Sequence, residues 1–163
     1  SNDTSILLAA TDCEYECRSL GISPERTNYL KHGDVYSKSD LVLHAVFCDH
    51  GPDTPDAIGL LLVIGEKKIY ITGDTSLHLD YGIEIGKLGL DVMFVPINGA
   101  FGNLNESDAV SLCSVVNPKI IVPYHFWCFA EHGGNPYLFM REMERRLPNQ
   151  KYVIMQMGEC LVI

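Results

Sequence analysis

The stretch "IGLLLVIGEKKIYITGD", residues 58–74, determines the fold class that the sequence predicts. Two runs rich in Ile, Leu, Val and Tyr flank Gly65 and Glu66, which suit a two-residue type II′ turn, so we predict an antiparallel β-hairpin. The second strand ends in Gly73 and Asp74, where a carboxylate follows an apolar run. A buried carboxylate needs a cation or several hydrogen-bond donors, whereas a turn or N-cap role leaves it near solvent. The stretch therefore predicts a sheet and leaves two roles open for Asp74.

Other short apolar runs on both sides of the hairpin indicate further strands. They are "SILLAA" (5–10), "LVLHAVF" (41–47), "LDVMFVP" (90–96), "KIIVPYH" (119–125) and "YVIMQMGECLVI" (152–163). Patterns with apolar residues on one helical face lie at residues 13–20, 105–116 and 135–147. Asn105 and Asn135 are the expected N-caps of the second and third helices. Because no repeat or linker interrupts this order, we predict a single α/β unit.

The composition argues against several classes of partner. The chain has 163 residues, 47% of them hydrophobic, with a formal net charge of −9 and only 12 Lys and Arg residues. Nucleic acids and anionic membranes attract basic surfaces, so neither is an expected partner. No apolar run approaches the roughly 20 residues of a spanning helix, and the start "SNDTSILL" lacks the basic region of a signal peptide. We therefore expect a cytoplasmic globular protein.

The six cysteines do not indicate a metal site, because none of them forms the C-x-x-C pair of structural zinc sites. Cys13 and Cys17 lie in a helical pattern, whereas Cys48, Cys113 and Cys160 lie in apolar runs. Free cysteine is most often a small buried hydrophobic residue. We expect buried thiols at these five positions, without disulfides or redox chemistry.

Three predicted strands end beside residues that can bind a metal ion or transfer a proton. His50 follows the run at residues 41–47, Asp74 follows the hairpin, and His125 ends the run at residues 119–125. Ligands of open α/β sheets gather at the carboxyl ends of strands, so we expect the three side chains to share one edge. Each His has an alternative role, His50 as a loop residue bonded to backbone and His125 as a core residue. The apolar neighbours of His125 favour a neutral imidazole, which suits either role.

Two glycine-bearing loops are candidate substrate contacts. The stretch "PINGAFGNLNESDA", residues 96–109, places Asn98 and Asn103 after a predicted strand, although a crowded strand-to-helix turn is the alternative. His132 lies in "AEHGGNP", before a predicted helix whose backbone amides can hold an anion. The chain has no G-x-x-x-x-G-K-[ST], G-x-G-x-x-G or G-x-S-x-G motif, so nucleotide binding and serine hydrolysis have no support. The other His residues are expected in turns, at the surface or in packing, and they are His32, His44 and His78.

A resemblance to the second half of the metallo-β-lactamase superfamily is carried by four segments in a fixed order. They are "CDHGPDTPDAIGLLL" (48–62), "IYITGDT" (69–75), "VPINGAFGNLNESDA" (95–109) and "VPYHFWCFAEHGGNP" (122–136). More narrowly, the chain is similar, from about residue 4 to its end, to metal-dependent hydrolases grouped with L-ascorbate-6-phosphate lactonase. The resemblance implies an αββα sandwich with metals at one edge of two packed sheets. This chain would supply mainly the second αβ half.

The resemblance also implies one or two divalent metal ions, zinc or manganese. His50 would bind the first metal, Asp74 would bridge both, and His125 would bind the second, which makes Asp74 and His125 the catalytic residues. A metal-bound hydroxide would then hydrolyse a lactone of a phosphorylated sugar acid. The expected contacts to this small, anionic substrate are Asn98, Asn103, Trp127 and His132.

One departure from the family is the absence of its metal-binding motif, H-x-H-x-D-H. We therefore expect residues 1–163 to be the C-terminal part of a single metallo-β-lactamase-fold domain that needs its missing N-terminal half. Alone, it would bind metal weakly and hydrolyse little. Two alternatives stay open, a phosphodiesterase of the same superfamily and a non-catalytic α/β module that binds a partner through its uncovered sheet face. A homo-oligomer is also left open.

Overall fold

The structure, a computed structural model, describes residues 5–163 as two β-sheets and four α-helices. The strands are β1 Leu7–Ala10, β2 Thr27–Leu30, β3 Val35–Lys38, β4 Leu41–Phe47, β5 Ile58–Ile64, β6 Lys67–Ile71, β7 Val92–Pro96 and β8 Ile120–Tyr124. The helices are α1 Glu14–Ser19, α2 Leu79–Gly86, α3 Glu106–Val116 and α4 Pro136–Arg146. Within the described residues, each helix is too short or too polar to cross a membrane.

The predicted hairpin is confirmed and lies at the centre of the larger sheet. Strands β3 to β8 form this six-stranded sheet in sequential order, and β1 pairs with β2 in a small parallel sheet. β5 and β6 are antiparallel, with Ile64 opposite Lys67. Gly65 has a φ of +59°, as the first central residue of a type II′ turn requires. The mixed sheet with helices agrees with the predicted α/β class.

The last three strands of the large sheet are parallel because a helix connects each pair. α2 lies between β6 and β7, and α3 lies between β7 and β8. A helical crossover returns the chain to the edge from which the previous strand started. The carboxyl ends of β6, β7 and β8 therefore lie along one edge, which we call the carboxyl edge.

The main core lies between the large sheet and the helices α2, α3 and α4. Met93 and Ile121 of the sheet and Phe139 of α4 are completely buried there. A Cβ atom at Gly86 of α2 would lie 2.7 Å from the backbone oxygen of Val116 of α3. The glycine therefore allows a close approach of the two helices that a larger residue would prevent.

The opposite face of the large sheet is covered only in part. Leu30 of β2 packs against Leu43 and Ala45 of β4 in a second, smaller core. Leu60 and Leu62 on this face remain half-buried. The small β1–β2 sheet therefore covers part of this face and leaves the neighbouring apolar side chains of β5 partly exposed.

The predicted helices are present, but other elements differ from the sequence expectation. Asn105 and Asn135 cap α3 and α4 through their side chains, as predicted. α2, β2 and β3 were not predicted, since α2 contains two glycines, which are poor helix formers, and β2 and β3 are short. The expected strand at residues 152–163 is wrong. Tyr152 forms one bridge to Ile121, and the chain then turns at Gly158, which has a φ of +82°.

The cysteine predictions hold at three of the five positions. Cys17, Cys48 and Cys113 are buried, whereas Cys13 and Cys160 are exposed, and all are free thiols in the described residues. Helix α1 has only six residues and buries a single side chain, and the segment that contains Cys160 packs loosely on the surface. Burial raises the pKa of the Cys48 thiol to about 12, so this thiol is unreactive at neutral pH.

Candidate functional site

The carboxyl edge brings two of the predicted ligands into contact. Asp74 follows β6 by three residues, and His125 follows β8 directly. The Nε2 atom of His125 lies 3.0 Å from Oδ2 of Asp74. Because β6 and β8 run in the same direction on either side of β7, their carboxyl ends present both side chains to the same space.

His125 is held in one orientation by its backbone and by neighbouring rings. Its φ of +58° lies in the left-handed region, which is unfavourable for a residue with a large side chain. The ring stacks on Tyr124, and its centroid lies 5.1 Å from that of His132. Its Nδ1 atom is buried and has no hydrogen-bond partner among the described residues. An imidazole in this state can complete its bonding with an ion, a water molecule or a substrate.

The distance between Asp74 and His125 fits joint binding of one divalent ion. Two donor atoms at about 2.1 Å from one ion, at an angle of roughly 90 to 109°, lie about 3.0 to 3.4 Å apart. The observed 3.0 Å falls at the short end of this range. Imidazole nitrogen and carboxylate oxygen suit both zinc and manganese. However, residues 5–163 contain no group of three or more His, Cys, Asp or Glu side chains that could hold a metal ion.

His50 lies in the loop after β4, and this loop is bonded to the loop that carries Asp74. Cys48 Sγ donates to the carbonyl oxygen of Asp74 at 3.1 Å, and Asp49 N donates to Thr75 Oγ1 at 3.1 Å. The Nδ1 atom of His50 is buried without a partner among the described residues. The structure thus brings His50 to the carboxyl edge, as predicted, but not into a three-ligand group with Asp74 and His125.

A cluster of Asp49, Ser76 and His78 adjoins these loops, and the sequence did not predict it. Asp49 Oδ2 accepts a hydrogen bond from Ser76 Oγ at 2.6 Å and lies 2.8 Å from His78 Nε2. The hydrogen bond from Ser76, followed by that from His78, lowers the pKa of Asp49 to about 2. His78 also packs edge-on against Phe47, so the packing role expected for it is only part of its environment. The sequence held one indication of this cluster, since Asp49 directly precedes His50 and His78 follows Asp74 by four residues.

The two asparagines expected to contact substrate lie in the loop between β7 and α3. Asn98 and Asn103 are buried, and both side-chain polar atoms of Asn98 and Oδ1 of Asn103 lack partners among the described residues. The backbone of this loop is fixed to the Asp74 loop, because Leu104 N donates to the carbonyl oxygen of Thr75 at 3.0 Å. Buried polar atoms are nearly always hydrogen-bonded in proteins, so these atoms mark a place where a polar ligand or water can bind.

The other two expected substrate contacts lie in the loop between β8 and α4. The ring of His132 packs between Phe101 and Phe129, with centroid distances of 5.1 and 4.9 Å. Its Nδ1 atom is buried and unpaired among the described residues. Trp127 is 65% exposed, at the outer side of the same loop. His132 therefore lies near the Asp74–His125 pair through its contact with His125, while Trp127 faces solvent.

The helix N-terminus that follows His132 has little free capacity for an anion. Asn135 Oδ1 accepts hydrogen bonds from the backbone amides of Tyr137 and Leu138, and Glu106 accepts one from the backbone amide of Asn135. These amides were the expected anion-binding groups, and the protein's own side chains occupy them. An anion would have to be held by His132 and the loop instead.

The sequence matches the family model described as "Beta-lactamase superfamily domain" over residues 4–125. The chain belongs to this family. The matched range includes His50 and Asp74 and ends at His125. All three predicted ligands therefore lie in the part of the chain that matches the family.

Curated relatives share sequence over part of their length. The "UPF0173 metal-dependent hydrolase" of Enterococcus faecalis is 32% identical over 88 residues, which are 54% of this chain and 39% of the relative. The corresponding protein of Caldivirga maquilingensis is 28% identical over 130 residues, which are 79% of this chain and 56% of the relative. The chain thus spans about half the length, or less, of these relatives.

Solved structures share the fold at low sequence identity. Igni18, a metallo hydrolase from Ignicoccus hospitalis, aligns with a TM-score of 0.77 at 20% identity, over 94% of this chain and 66% of that one. The metallo-β-lactamase fold protein YhfI from Bacillus subtilis aligns with a TM-score of 0.74 at 13% identity, over 96% of this chain and 64% of that one. The mixed sheet and its helices therefore have the metallo-β-lactamase fold, as the sequence predicted.

Proposed function

We propose that the chain is part of a metal-dependent hydrolase whose reaction takes place at the carboxyl edge. The observation that carries this proposal is the 3.0 Å contact between Asp74 and His125 at the ends of two parallel strands. A contact of this length suits two ligands of one ion, and the unpaired Nδ1 atoms of His50 and His125 lie at the same edge. The names of the relatives from Enterococcus and Caldivirga, both metal-dependent hydrolases, support the same class of reaction.

In this proposal, Asp74 and His125 hold a divalent ion, zinc or manganese, and His50 contributes to a second position. A divalent ion at this place would lower the pKa of a bound water and polarise the carbonyl group of an ester or lactone. Asp74 supplies carboxylate oxygens, and His125 supplies an imidazole nitrogen whose ring is fixed by its packing against Tyr124 and His132. Asn98, whose amide is unpaired among the described residues and whose loop is bonded to the Asp74 loop, would orient the substrate carbonyl.

The remaining ligands would come from a segment outside these 163 residues. The support is twofold, since the sequence lacks H-x-H-x-D-H and the described residues lack a three-ligand group. The two or three ligands present here leave most coordination positions of a zinc or manganese ion open. The chain alone would therefore hydrolyse little, and the complete protein would carry the activity.

A narrower form of the proposal names the substrate as a lactone of a phosphorylated sugar acid. Asn98, Asn103, Trp127 and His132 would contact it, with His132 and the following glycines next to the phosphate. The resemblance of the quoted segments to lactonases is the support for this form. Ring opening of the lactone would produce a hydroxy acid, which carries one more negative charge than the substrate.

The proposed function is tested by Asp74→Asn in the longest product of the gene that contains these residues. We expect the rate of γ-butyrolactone ring opening, followed by proton release, to fall by at least about 100-fold because a metal ligand is lost. Asp53→Asn, which removes the same charge from an exposed loop position, is the matched control and should retain the rate. Near-normal turnover in Asp74→Asn would remove Asp74 from the reaction. An equal loss in both variants would indicate a general charge effect.

A further inference from the structure

Three large aromatic side chains are exposed in the two loops that carry the expected substrate contacts. Phe101, Trp127 and Phe129 are 67%, 65% and 62% exposed. We call these three residues the aromatic rim. Exposed apolar side chains that form one contiguous patch often mark a binding surface.

Two of the three rim residues are connected to the reacting groups by a continuous series of ring contacts, while Trp127 packs edge-on against Phe126 in the same loop as Phe129. Phe101, from the loop between β7 and α3, and Phe129, from the loop between β8 and α4, both contact the ring of His132. His132 contacts His125, and His125 contacts Asp74. A molecule whose reactive group lies at Asp74, and which extends past His125 and His132, would therefore reach Phe101 and Phe129.

The backbone holds rim residues in conformations that large side chains rarely adopt. Phe101 and Trp127 both have a φ of +56°, and His125 of the candidate site has a φ of +58°. Of the non-glycine residues with positive φ in the described chain, the other two are Ser39 and Asn117, which lie elsewhere. Such conformations are unfavourable for bulky residues and persist where the surrounding structure imposes them, often at ligand-binding sites. The loops thus impose an unfavourable backbone conformation on Phe101 and Trp127, and both side chains are exposed.

We infer that the aromatic rim binds an apolar, ring-bearing or acyl part of the substrate whose reactive group lies at Asp74 and His125. This inference rests on the proposed hydrolase function and specifies its substrate class. It is an alternative to the narrower phosphate form, because the ring of His132 packs against Phe101 and Phe129, and the backbone amides at the start of α4 are already bonded to Asn135 and Glu106. The net charge of −9 also disfavours a second anionic group on the substrate.

Trp127 makes the inference directly measurable, because it is the single tryptophan of the chain. We would titrate the 163-residue chain with γ-phenyl-γ-butyrolactone, with γ-butyrolactone and with inorganic phosphate, and follow the fluorescence of Trp127. Burial of a phenyl group against the rim should lower the apparent Kd of the phenyl lactone at least about 10-fold relative to the parent lactone. Inorganic phosphate should leave the emission unchanged.

Variants separate the rim from the rest of the site. Phe101→Ala and Phe129→Ala should each remove most of the preference for the phenyl lactone, and Phe129→Leu should retain part of it. Tyr15→Ala, which removes an exposed aromatic residue from α1, is the control and should not change the preference. Asp74→Asn should keep the phenyl preference even where it abolishes hydrolysis. A failure of the proposed function therefore appears in the hydrolysis assay, and a failure of the rim inference appears in the fluorescence titration.

Three results would overturn the inference. Equal affinity for the two lactones would show that the rim does not bind the apolar group. A Trp127 response to inorganic phosphate would favour the anionic substrate. A Trp127 emission that changes with protein concentration, together with dimers in sedimentation experiments, would assign the rim to an interface between copies of the chain.

Discussion

Single residues at the carboxyl edge have little freedom to change, and Gly133 is the clearest case. A Cβ atom at Gly133 would lie 2.5 Å from the backbone oxygen of Asn98, which is itself buried. A backbone atom in a buried loop cannot move aside cheaply, so the extra methyl group would push the His132 loop away from the β7–α3 loop. The glycine is therefore required by packing between the two loops that form the site.

We predict that Gly133→Ala lowers the free energy of unfolding by about 1 to 3 kcal/mol because of this overpacking. Urea unfolding at pH 7 measures the change. Gly89→Ala is the control, since Gly89 has a φ of +67° but open space around its Cβ position, so only backbone strain contributes there. If Gly133→Ala were no more costly than Gly89→Ala, the loops would be shown to separate without penalty.

At the scale of elements, one end of the parallel strands carries the candidate site, and the other end carries contacts that stabilise the sheet. The carboxyl ends of β6 and β8 hold the candidate site, and the opposite ends are joined by Asp91. Asp91 Oδ2 accepts a hydrogen bond from Lys68 N at 2.9 Å, and Oδ1 accepts one from Lys119 Nζ at 2.8 Å. One buried carboxylate thus connects the starts of three neighbouring strands, β6, β7 and β8.

We predict a pH-dependent loss of stability for Asp91→Asn. The hydrogen bond from Lys119, with that from Lys68, holds the pKa of Asp91 below its ordinary value of 3.8. A lowered pKa gives stability that is present above the ordinary value and is lost as pH falls through the lower, folded-state pKa. At pH 7 the variant should therefore be less stable by about 1 to 2 kcal/mol, because a charged hydrogen-bond acceptor is replaced.

Urea unfolding of both proteins between pH 7 and about pH 2.5 tests this prediction. The difference between them should shrink below about pH 4, where the Asp91 carboxylate of the unfolded chain begins to be protonated. Lys119→Met is the companion variant. Lys119→Met should lower the free energy of unfolding less than Asp91→Asn does, because the Lys119 side chain is 74% exposed and its ion pair is screened by solvent. A difference that stays constant over the whole pH range would contradict the role of the Asp91 charge.

Elements that depend on local sequence were predictable, whereas those that depend on distant packing were not. The β5–β6 hairpin follows from its turn residues, and α3 and α4 follow from their asparagine caps. α2 contains Gly82 and Gly86, which local propensity disfavours, and both glycines pack closely against α3. The apolar run at residues 152–163 has strand composition but only one bridge to β8, since Gly158 turns the chain away.

For the molecule as a whole, the candidate site was predictable as a set of strand ends but not as a set of contacts. The sequence places His50, Asp74 and His125 after strands, and parallel pairing then brings the last two together. The contacts of His78 with Asp49 and of His132 with Phe101 join residues from different loops, and no local pattern encodes them. The aromatic rim was missed for the same reason, except for Trp127.

The incomplete ligand group has a consequence for the stability of the whole chain. Binding to the folded state stabilises it by RT ln(1 + [ion]/Kd), which is about 0.4 kcal/mol when the ion concentration equals Kd and about 4 kcal/mol when it exceeds Kd 1,000-fold. Among the candidate ligands in the described residues, Asp74 and His125 are the pair in contact, and no third ligand joins them. Because two ligands hold an ion weakly, we expect a Kd for the metal ion in the millimolar range rather than the micromolar range. We therefore predict that 1 mM Mn²⁺ raises the free energy of unfolding of the 163-residue chain by less than about 1 kcal/mol.

Manganese is the better probe because the unfolded chain exposes six cysteines, whose thiolates prefer softer ions such as zinc. Urea unfolding with Mn²⁺ and with EDTA measures the difference, and His125→Ala should abolish it. A stabilisation near 4 kcal/mol that disappears in Asp74→Ala would mean that residues 5–163 already contain a complete site. The proposal that another segment supplies the remaining ligands would then fail. A change in the free energy of unfolding of less than about 1 kcal/mol would instead support the Asp74–His125 pair as one side of a site that another segment completes.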